Sequence, residues 1–199
     1  AGSNISNHFR IRVGDVDAAW KDCAAVVERT YRIPHIQHVP IETHIAVAKV
    51  DGGKITLWGS SQSPFAQRSL IASTLGFSPS DVQVIAPYVG GGFGCKAGVS
   101  MEALAVVIAM HTNGRPVKLR LTREEEFYTA FVRQGLVAKF KMGCDRSGRL
   151  LAMQNEFYWD GGAYTEYGVN ITRASGYSSS GPYFVPNMST DSFCVYTNH

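Results

Sequence analysis

Charge, cysteine and long apolar segments are all scarce in this 199-residue sequence. Charged side chains make up 18% of the residues, the net charge is only +3, and lysine and arginine are not gathered into blocks. The sequence therefore lacks the basic patches of a nucleic-acid-binding protein. No apolar run reaches about 18 residues, the length typical of a membrane-spanning helix. The first residues also lack the basic start and apolar stretch of a secretory signal peptide.

Hydrophobic residues form 45% of the chain, which is typical of a globular protein with a real core. The four cysteines are too far apart for a Cys-x-x-Cys pair, so their spacing does not suit zinc or an iron–sulfur cluster. They are Cys23, Cys95, Cys144 and Cys194. The pattern predicts reduced thiols and a cytoplasmic location. Of the four, only Cys95 lies in a segment that we expect to be near chemistry.

Three histidines lie close together in the sequence, at His35, His38 and His44. Pro34 and Pro40 interrupt their spacing, and no His-x-x-x-His pair occurs on a predicted helix. We therefore favour ordinary hydrogen-bonded histidines over a metal site at this position.

Helix signals and hairpin signals alternate along the chain, which predicts an α+β fold with mixed sheets, β-hairpins and packed helices. Turn sequences at 51–53 and 144–148 each separate two predicted strands. Ser63 is a candidate cap for a helix, and Thr122 with Glu125 forms a candidate capping box. Residues 161–187 have little periodicity. The predicted helices are 15–21, 64–75 and 100–110, and the predicted strands are 26–33, 45–50, 54–58, 81–87, 117–121, 135–142, 150–159 and 190–196.

A run of glycines, Val89-Gly-Gly-Gly-Phe-Gly-Cys-Lys96, separates a predicted strand from a predicted helix. Glycines suit a loop in which a Cβ atom would collide with a neighbour or a ligand. A loop that opens a helix also presents free N–H groups to an anion such as phosphate. A connector without any ligand is the alternative interpretation of the loop taken alone.

Two common nucleotide-binding patterns do not fit this glycine loop. A P-loop requires glycine, lysine and then serine or threonine, but Cys95 precedes Lys96 and Ala97 follows it. The dinucleotide-binding pattern requires a third glycine or alanine where Cys95 stands. A simple nucleotide-binding domain is therefore a weak interpretation of the sequence.

The glycine loop and its neighbours together resemble the molybdenum-binding subunit of the xanthine dehydrogenase/aldehyde oxidase family, which also includes the large subunit of carbon monoxide dehydrogenase. The resemblance covers essentially the whole chain, and its motifs occur in the family's order. The matching segments are His38-Val-Pro-Ile-Glu42, Trp58-Gly-Ser-Ser-Gln62-Ser-Pro64, the loop with the strand before it, Thr112-Asn-Gly-Arg-Pro-Val117, Thr122-Arg-Glu-Glu125 and Asp160-Gly-Gly-Ala-Tyr164.

The resemblance implies that Gly91, Gly92, Phe93 and Gly94 contact a molybdenum–molybdopterin cofactor, which such proteins often carry in its cytosine dinucleotide form. It implies that Gln62 acts as a catalytic residue that hydrogen-bonds the apical oxo ligand of molybdenum, without ligating the metal itself. An amide N–H suits an oxo group, and a phosphate-bearing ligand suits a glycine loop. The alternative for Gln62 is a surface glutamine after a strand.

The reaction implied is hydroxylation of an N-heterocycle or an aldehyde with oxygen taken from water, carried out by an oxidoreductase. Electrons pass to [2Fe–2S] and FAD groups in companion domains or subunits, and the complete enzyme is expected to be oligomeric. Members that act on purines carry glutamate directly after the loop lysine, where this chain has Ala97. That difference argues against xanthine as the substrate.

The resemblance also implies that residues 1–199 form part of the family's first molybdopterin-binding domain. A small N-terminal hammerhead-like domain and the C-terminal remainder, with its general base, have no counterpart in these residues. We therefore expect a fragment that is inactive when isolated. The alternatives are a non-catalytic folding or interaction module within a larger assembly, and a portion of a carbon monoxide dehydrogenase-like large subunit.

Overall fold

The computed structural model of the protein describes residues 2–199, which form two compact units. Residues 36–133 form the first unit, called here the loop unit. Residues 2–35 and 134–199 form the second, called the five-stranded unit. The strands are β1 (Ile5–Val13), β2 (Ala25–Ile33), β3 (Ile36–Gln37), β4 (Ile45–Asp51), β5 (Lys54–Gly59), β6 (Val82–Ile85), β7 (Val117–Arg120), β8 (Val132–Arg133), β9 (Leu136–Cys144), β10 (Leu150–Asp160) and β11 (Asn187–Val195), and the helices are α1 (Val16–Ala19), α2 (Pro64–Leu75), α3 (Glu102–Ala109), α4 (Arg123–Thr129) and α5 (Gly168–Tyr177).

One mixed sheet, in the order β1-β11-β10-β9-β2, forms the body of the five-stranded unit. Strands β10 and β11 are parallel, and the other neighbours are antiparallel. Helix α5 connects β10 to β11 and packs against β1 and β11. A Cβ at Gly176 of α5 would lie only 2.6 Å from an edge carbon of the Phe9 ring, so the close approach of this helix requires glycine.

The loop unit contains a four-stranded sheet in the order β6-β5-β4-β7. Strands β4 and β5 form a hairpin, while β5 and β6 are parallel and are connected through α2, as parallel strands require a crossover. Short strands β3 and β8 pair separately. The sheet packs against α2 and α3 through buried alanine, leucine, isoleucine, valine and methionine side chains. These are Ala46, Ala48, Ile55, Leu57, Ile71, Ala72, Val82, Met101, Ala105, Val106 and Ala109.

The α+β fold with mixed sheets, hairpins and packed helices is confirmed. Helix α2 has the predicted bounds, with Pro64 in its first turn and Gly76 after its end at φ +75°. The capping box of α4 is also confirmed, because Thr122 Oγ1 accepts the Glu125 N–H at 3.1 Å and Glu125 Oε2 accepts the Thr122 N–H at 2.7 Å.

Three expectations need correction. The predicted helix cap at Ser63 makes no side-chain hydrogen bond to α2. The segment 161–187, which has little periodicity, contains α5, whose buried face consists of small residues: Gly168, Thr172 and Gly176. Strand β1 was not predicted, although Phe9-Arg-Ile-Arg-Val13 alternates apolar and charged residues as a strand does. Within residues 2–199 no helix is long and apolar enough to cross a membrane.

We predict that Thr122→Ala lowers the free energy of unfolding by about 1 kcal/mol, because the first turn of α4 loses a capping bond. Ser63→Ala is the matched control and should change stability by less than about 0.5 kcal/mol, since Ser63 makes no capping bond. Urea denaturation of both variants measures the difference. Equal effects of the two substitutions would contradict the assignment of the capping box.

Candidate cofactor site

The glycine loop lies within an irregular segment, residues 86–101, between β6 and α3. Gly91 and Gly94 adopt left-handed conformations, with φ of +97° and +108°. Phe93 also has a positive φ, +55°, which is uncommon for a residue with a side chain and is held only by its surroundings. Its ring is 72% exposed. The loop is thus a strained turn that buries Gly92 and exposes the Phe93 ring.

The expectation that the loop opens directly onto a helix was wrong. Helix α3 begins at Glu102, six residues after Lys96. The Glu102 carboxylate accepts the N–H groups of Ser100 at 2.7 Å and Met101 at 3.1 Å, and its side chain is buried. Because those N–H groups at the start of α3 are already paired within the protein, they cannot donate to a ligand that binds at the glycine loop.

Gln62, which follows β5, is bound to the glycine loop by both its side chain and its backbone. Its Oε1 accepts the N–H groups of Gly94 at 2.9 Å and Lys96 at 3.2 Å. Its own N–H donates to the Lys96 carbonyl at 2.9 Å. A Cβ at Gly92 would lie 2.6 Å from Gln62 Cδ, so glycine at position 92 is what allows the amide to reach the loop.

Several donors of this site have no protein acceptor within residues 2–199. They are the backbone N–H groups of Gly91, Gly92 and Phe93, and Nε2 of Gln62, whose amide oxygen is already occupied by the loop. Successive backbone N–H groups in turn conformations form a concave site for an anion or an oxygen-rich ligand. The donors therefore fit a cofactor that presents phosphate and oxo oxygens, such as molybdopterin bound to molybdenum.

The buried ammonium group of Lys96 holds the glycine loop in place. The Lys96 side chain has 0% exposure, and Nζ donates to the Glu42 carbonyl at 2.8 Å, to Glu42 Oε2 at 2.9 Å and to Ser60 Oγ at 2.8 Å. Ser60 Oγ also donates to Glu42 Oε2, and so does the Gly90 N–H at 2.8 Å. Glu42 thus holds the start of the glycine loop and its end at the same time.

The pKa of Glu42 lies below that of an ordinary glutamate. Partial burial raises the pKa, but hydrogen bonds from Ser60, Lys96 and Gly90 stabilise the carboxylate and outweigh burial. Glu42 is therefore ionised at neutral pH, as its pairing with Lys96 requires.

A second buried cluster holds the end of the loop, at Cys95. Nδ1 of His44 lies 2.7 Å from Glu126 Oε1, and Nε2 lies 3.0 Å from the Cys95 carbonyl oxygen. The Glu126 Oε2 atom also accepts the His44 N–H at 2.9 Å. Both ring nitrogens of His44 therefore lie within hydrogen-bond distance of protein oxygens. The pair fixes the position of the Cys95 carbonyl.

The Cys95 thiol itself belongs to the scaffold of the loop. It is buried and lies 2.9 Å from the Gly92 carbonyl oxygen, to which it donates. Burial, together with the negative charge of Glu126, raises the pKa of Cys95 above its ordinary value. A protonated, inaccessible thiol is a poor nucleophile and a poor metal ligand, so Cys95 does not carry the chemistry that its sequence position suggested.

The structure brings together all five residues that the sequence singled out, Gln62 and the four loop residues 91–94. Their contact with a cofactor stays a prediction. Sequence reasoning gave no role to Lys96, Ser60, His44 or Glu126, because spacing along the chain does not show that these side chains meet. The charge of Lys96 was the one signal in the sequence that could have pointed to this cluster. A lysine directly after a glycine loop needs an anionic partner if it is buried.

Comparison with known proteins gives consistent results. The family model described as "Molybdopterin cofactor-binding domain" matches residues 1–199. The nicotinate dehydrogenase large molybdopterin subunit of Eubacterium barkeri is 36% identical over 198 residues, which are 99% of this chain and 46% of that protein. The structure of the aldehyde oxidoreductase from Desulfovibrio gigas matches with a TM-score of 0.92 and 30% identity, covering 100% of this chain and 22% of the other.

A third match is the reconstituted CO dehydrogenase from Oligotropha carboxidovorans, with a TM-score of 0.81 and 28% identity. It covers 96% of this chain and 25% of that chain. This chain therefore spans less than half the length of each of the three proteins.

We predict that Glu42→Gln lowers the free energy of unfolding by about 1.5–3 kcal/mol, because the ammonium group of Lys96 loses its anionic partner. The matched control is Glu156→Gln, which removes the solvent-exposed pair with Lys139 and should change stability much less, because water screens that pair. Urea denaturation at neutral pH measures both effects.

The stability difference between the unmutated protein and Glu42→Gln should also depend on pH, in a direction that the pKa of Glu42 fixes. Since the folded-state pKa of Glu42 is depressed, its stabilising effect is complete above the ordinary glutamate pKa of about 4.3 and is lost as the pH falls through the lower folded value. The stability difference between the protein and Glu42→Gln should therefore shrink below about pH 4. A difference that persists undiminished at low pH would contradict a carboxylate clamp.

Proposed function

The chain belongs to the molybdopterin cofactor-binding domain family, and from this premise we propose that its glycine loop and Gln62 hold the cofactor of a molybdenum hydroxylase. The complete enzyme would hydroxylate a small aldehyde or N-heterocycle with oxygen derived from water. These 199 residues would form part of its first molybdopterin-binding domain. The rest of the site would come from sequence of the kind that the longer relatives carry outside the matched region.

The observation that carries this proposal is the orientation of the Gln62 amide. Its oxygen accepts two loop N–H groups, from Gly94 and Lys96, which fixes the plane of the amide. The NH2 group is left as a donor with no protein acceptor within residues 2–199. Such a preoriented donor costs little reorganisation when an oxygen atom of a ligand carries developing negative charge. This supports a role for Gln62 at an oxo group.

The loop residues would act through their backbone. The N–H groups of Gly91, Gly92 and Phe93 can donate to oxygens of the cofactor, and the absence of a Cβ at Gly92 leaves room for the Gln62 amide beside them. The exposed ring of Phe93 would cover one face of the bound group and exclude water from it. When bound, molybdopterin supplies a molybdenum centre that accepts two electrons from the substrate carbon.

The substrate that we propose is not a purine. Ala97 occupies the position next to the loop lysine and offers neither a charge nor a hydrogen-bonding side chain to a heterocycle. A smaller aromatic heterocycle or an aldehyde fits this position better. The 36% identity to a nicotinate dehydrogenase subunit supports a pyridine-type heterocycle as the first class to test.

We further propose that electrons leave through [2Fe–2S] and FAD groups in companion domains or subunits of an oligomeric enzyme, and that the cofactor is the cytosine dinucleotide form. A cytoplasmic location is supported by four free cysteines, as expected in a reducing compartment. Residues 1–199 alone should not turn over substrate, because the general base that the resemblance implies has no counterpart among them.

We predict that Gln62→Glu in the full-length enzyme retains molybdenum but slows turnover by roughly tenfold or more, since one donor worth about 1.4 kcal/mol in the transition state is lost. A carboxylate at position 62 can still accept from Gly94 and Lys96, so the loop should stay in place. The measurements are molybdenum content by elemental analysis and dye-linked oxidation of a panel of pyridine-type heterocycles and aldehydes.

The matched control for this variant is Gln83→Glu, the same chemical change on the exposed surface of β6. It should leave both molybdenum content and turnover unchanged. Unchanged turnover in Gln62→Glu would show that the amide is only part of the scaffold, and absence of molybdenum from the unmutated enzyme would refute the proposed function itself.

We predict that Gly92→Ala reduces molybdenum content several-fold, because the added Cβ would lie 2.6 Å from Gln62 Cδ and would displace the amide from the loop. Gly59→Ala is the control, since a Cβ there makes only ordinary contacts at 3.8 and 3.9 Å. Elemental analysis of both full-length variants gives the answer. Wild-type molybdenum content in Gly92→Ala would show that close packing at position 92 is not required for binding.

A further inference from the structure

Three side chains with metal-binding atoms lie close together in the five-stranded unit. None of them belongs to the glycine loop. They are His35, Asp160 and His199, and their donor atoms all lie within 4.8 Å of one another. Asp160 Oδ2 is 2.8 Å from His199 Nδ1 and 3.7 Å from His35 Nε2. The two imidazole rings meet edge to face, with centroids 4.9 Å apart.

The carboxylate of Asp160, the last residue of β10, is oriented by its neighbours. Its Oδ1 atom accepts the Gly162 N–H at 3.2 Å and the Thr197 hydroxyl. Because Oδ1 is held in this way, Oδ2 points to the two histidines. Partners of this kind, which fix a ligand without touching the metal, are a regular feature of metal sites in proteins.

Both histidines are also held in place. The His199 carbonyl oxygen accepts the Ala163 N–H at 3.1 Å, which fixes the backbone beside Asp160. The His35 ring packs on Gly135, where a Cβ would lie only 3.2 Å from Nδ1. A groove of about 340 Å³ lined by His35 and Asp160 opens beside the cluster. This groove has room for a water molecule or a small ligand beside His35 and Asp160.

We propose that His35, Asp160 and His199 bind one divalent transition-metal ion, and that Zn²⁺ is the ion that suits them best. Two imidazole nitrogens and one carboxylate oxygen form a ligand set that Zn²⁺ uses in proteins, and three protein ligands leave a fourth position open. Ligand atoms at about 2.0–2.2 Å from a tetrahedral ion lie roughly 3.3–3.5 Å apart. The observed separations of 2.8 and 3.7 Å lie on either side of that value.

The competing explanation is a hydrogen-bonded cluster that needs no metal, in which Asp160 simply accepts from His199. The two explanations differ in one respect: an open metal site takes up one equivalent of ion, and a closed cluster takes up none. The buried group of His44, Cys95 and Glu126 is not a second candidate, because its histidine nitrogens and thiol already face protein oxygens.

The test uses the full-length protein, stripped with a chelator and titrated with Zn²⁺ in a calorimeter. Asp160→Asn is the principal variant, since the amide oxygen can still accept from Gly162 and Thr197 while the ligand oxygen is replaced. We expect it to bind one equivalent of Zn²⁺ fewer than the unmutated protein, and His199→Ala to do the same. His111→Ala, which removes an exposed histidine elsewhere, is the matched control and should bind as the unmutated protein does.

Two further measurements make the outcome decisive. Co²⁺ in place of Zn²⁺ should give the intense visible absorption of a tetrahedral site, which Asp160→Asn should lack. Thr197→Val, which removes only the orienting hydroxyl, should weaken Zn²⁺ binding by about 10–100-fold while circular dichroism shows an unchanged fold. Equal Zn²⁺ stoichiometry in the unmutated protein and in Asp160→Asn, with both folded, would overturn the proposal. Molybdenum content measured in the same samples reports on the glycine loop separately.

Discussion

The site depends on the ion pair and hydrogen bonds that the buried Lys96 ammonium group makes with Glu42 and Ser60. The Lys96 side chain is fully enclosed, so its charge must be balanced by protein oxygens, and Glu42 and Ser60 supply them. Removing a charge from water costs several kcal/mol unless its partners are well placed. The positions of Glu42, Ser60 and the loop are therefore coupled: none of them can shift without leaving a buried charge unpaired.

The same coupling explains how a run of glycines can be rigid. Glycine-rich segments are flexible by themselves, yet Glu42 binds the Gly90 N–H at the start of this loop, and Gln62 and His44 bind backbone groups of residues 94–96 at its end. The N–H groups in between, at Gly91, Gly92 and Phe93, are the ones without a protein acceptor within residues 2–199. A loop that is fixed at both ends and unsatisfied between them has its ligand contacts formed in advance.

Much of the fold was predictable, because local signals and tertiary structure agree at α2, at the hairpin of β4 and β5, and at the capping box of α4. Helix α5 was not, since glycine and serine weaken its intrinsic propensity and its buried face is recognised only by what packs on it. For the site, the family resemblance identified Gln62 and residues 91–94 as candidate cofactor contacts. The roles of Lys96 and His44, in contrast, depend on contacts between residues 36 to 54 positions apart along the chain. Spacing along a chain cannot show such contacts.

The pairing of β1 with β11 has a consequence for synthesis on the ribosome. The loop unit is one continuous stretch, residues 36–133, so the whole of it emerges before the five-stranded unit is complete. Strand β1 precedes the loop unit in the chain, whereas its partner strand β11 follows the loop unit. At 5–20 residues per second this strand waits roughly 10–40 s for its partner. During that interval the edges of β1 are unpaired and open to other chains, so the order of translation leaves this strand in need of protection by a chaperone.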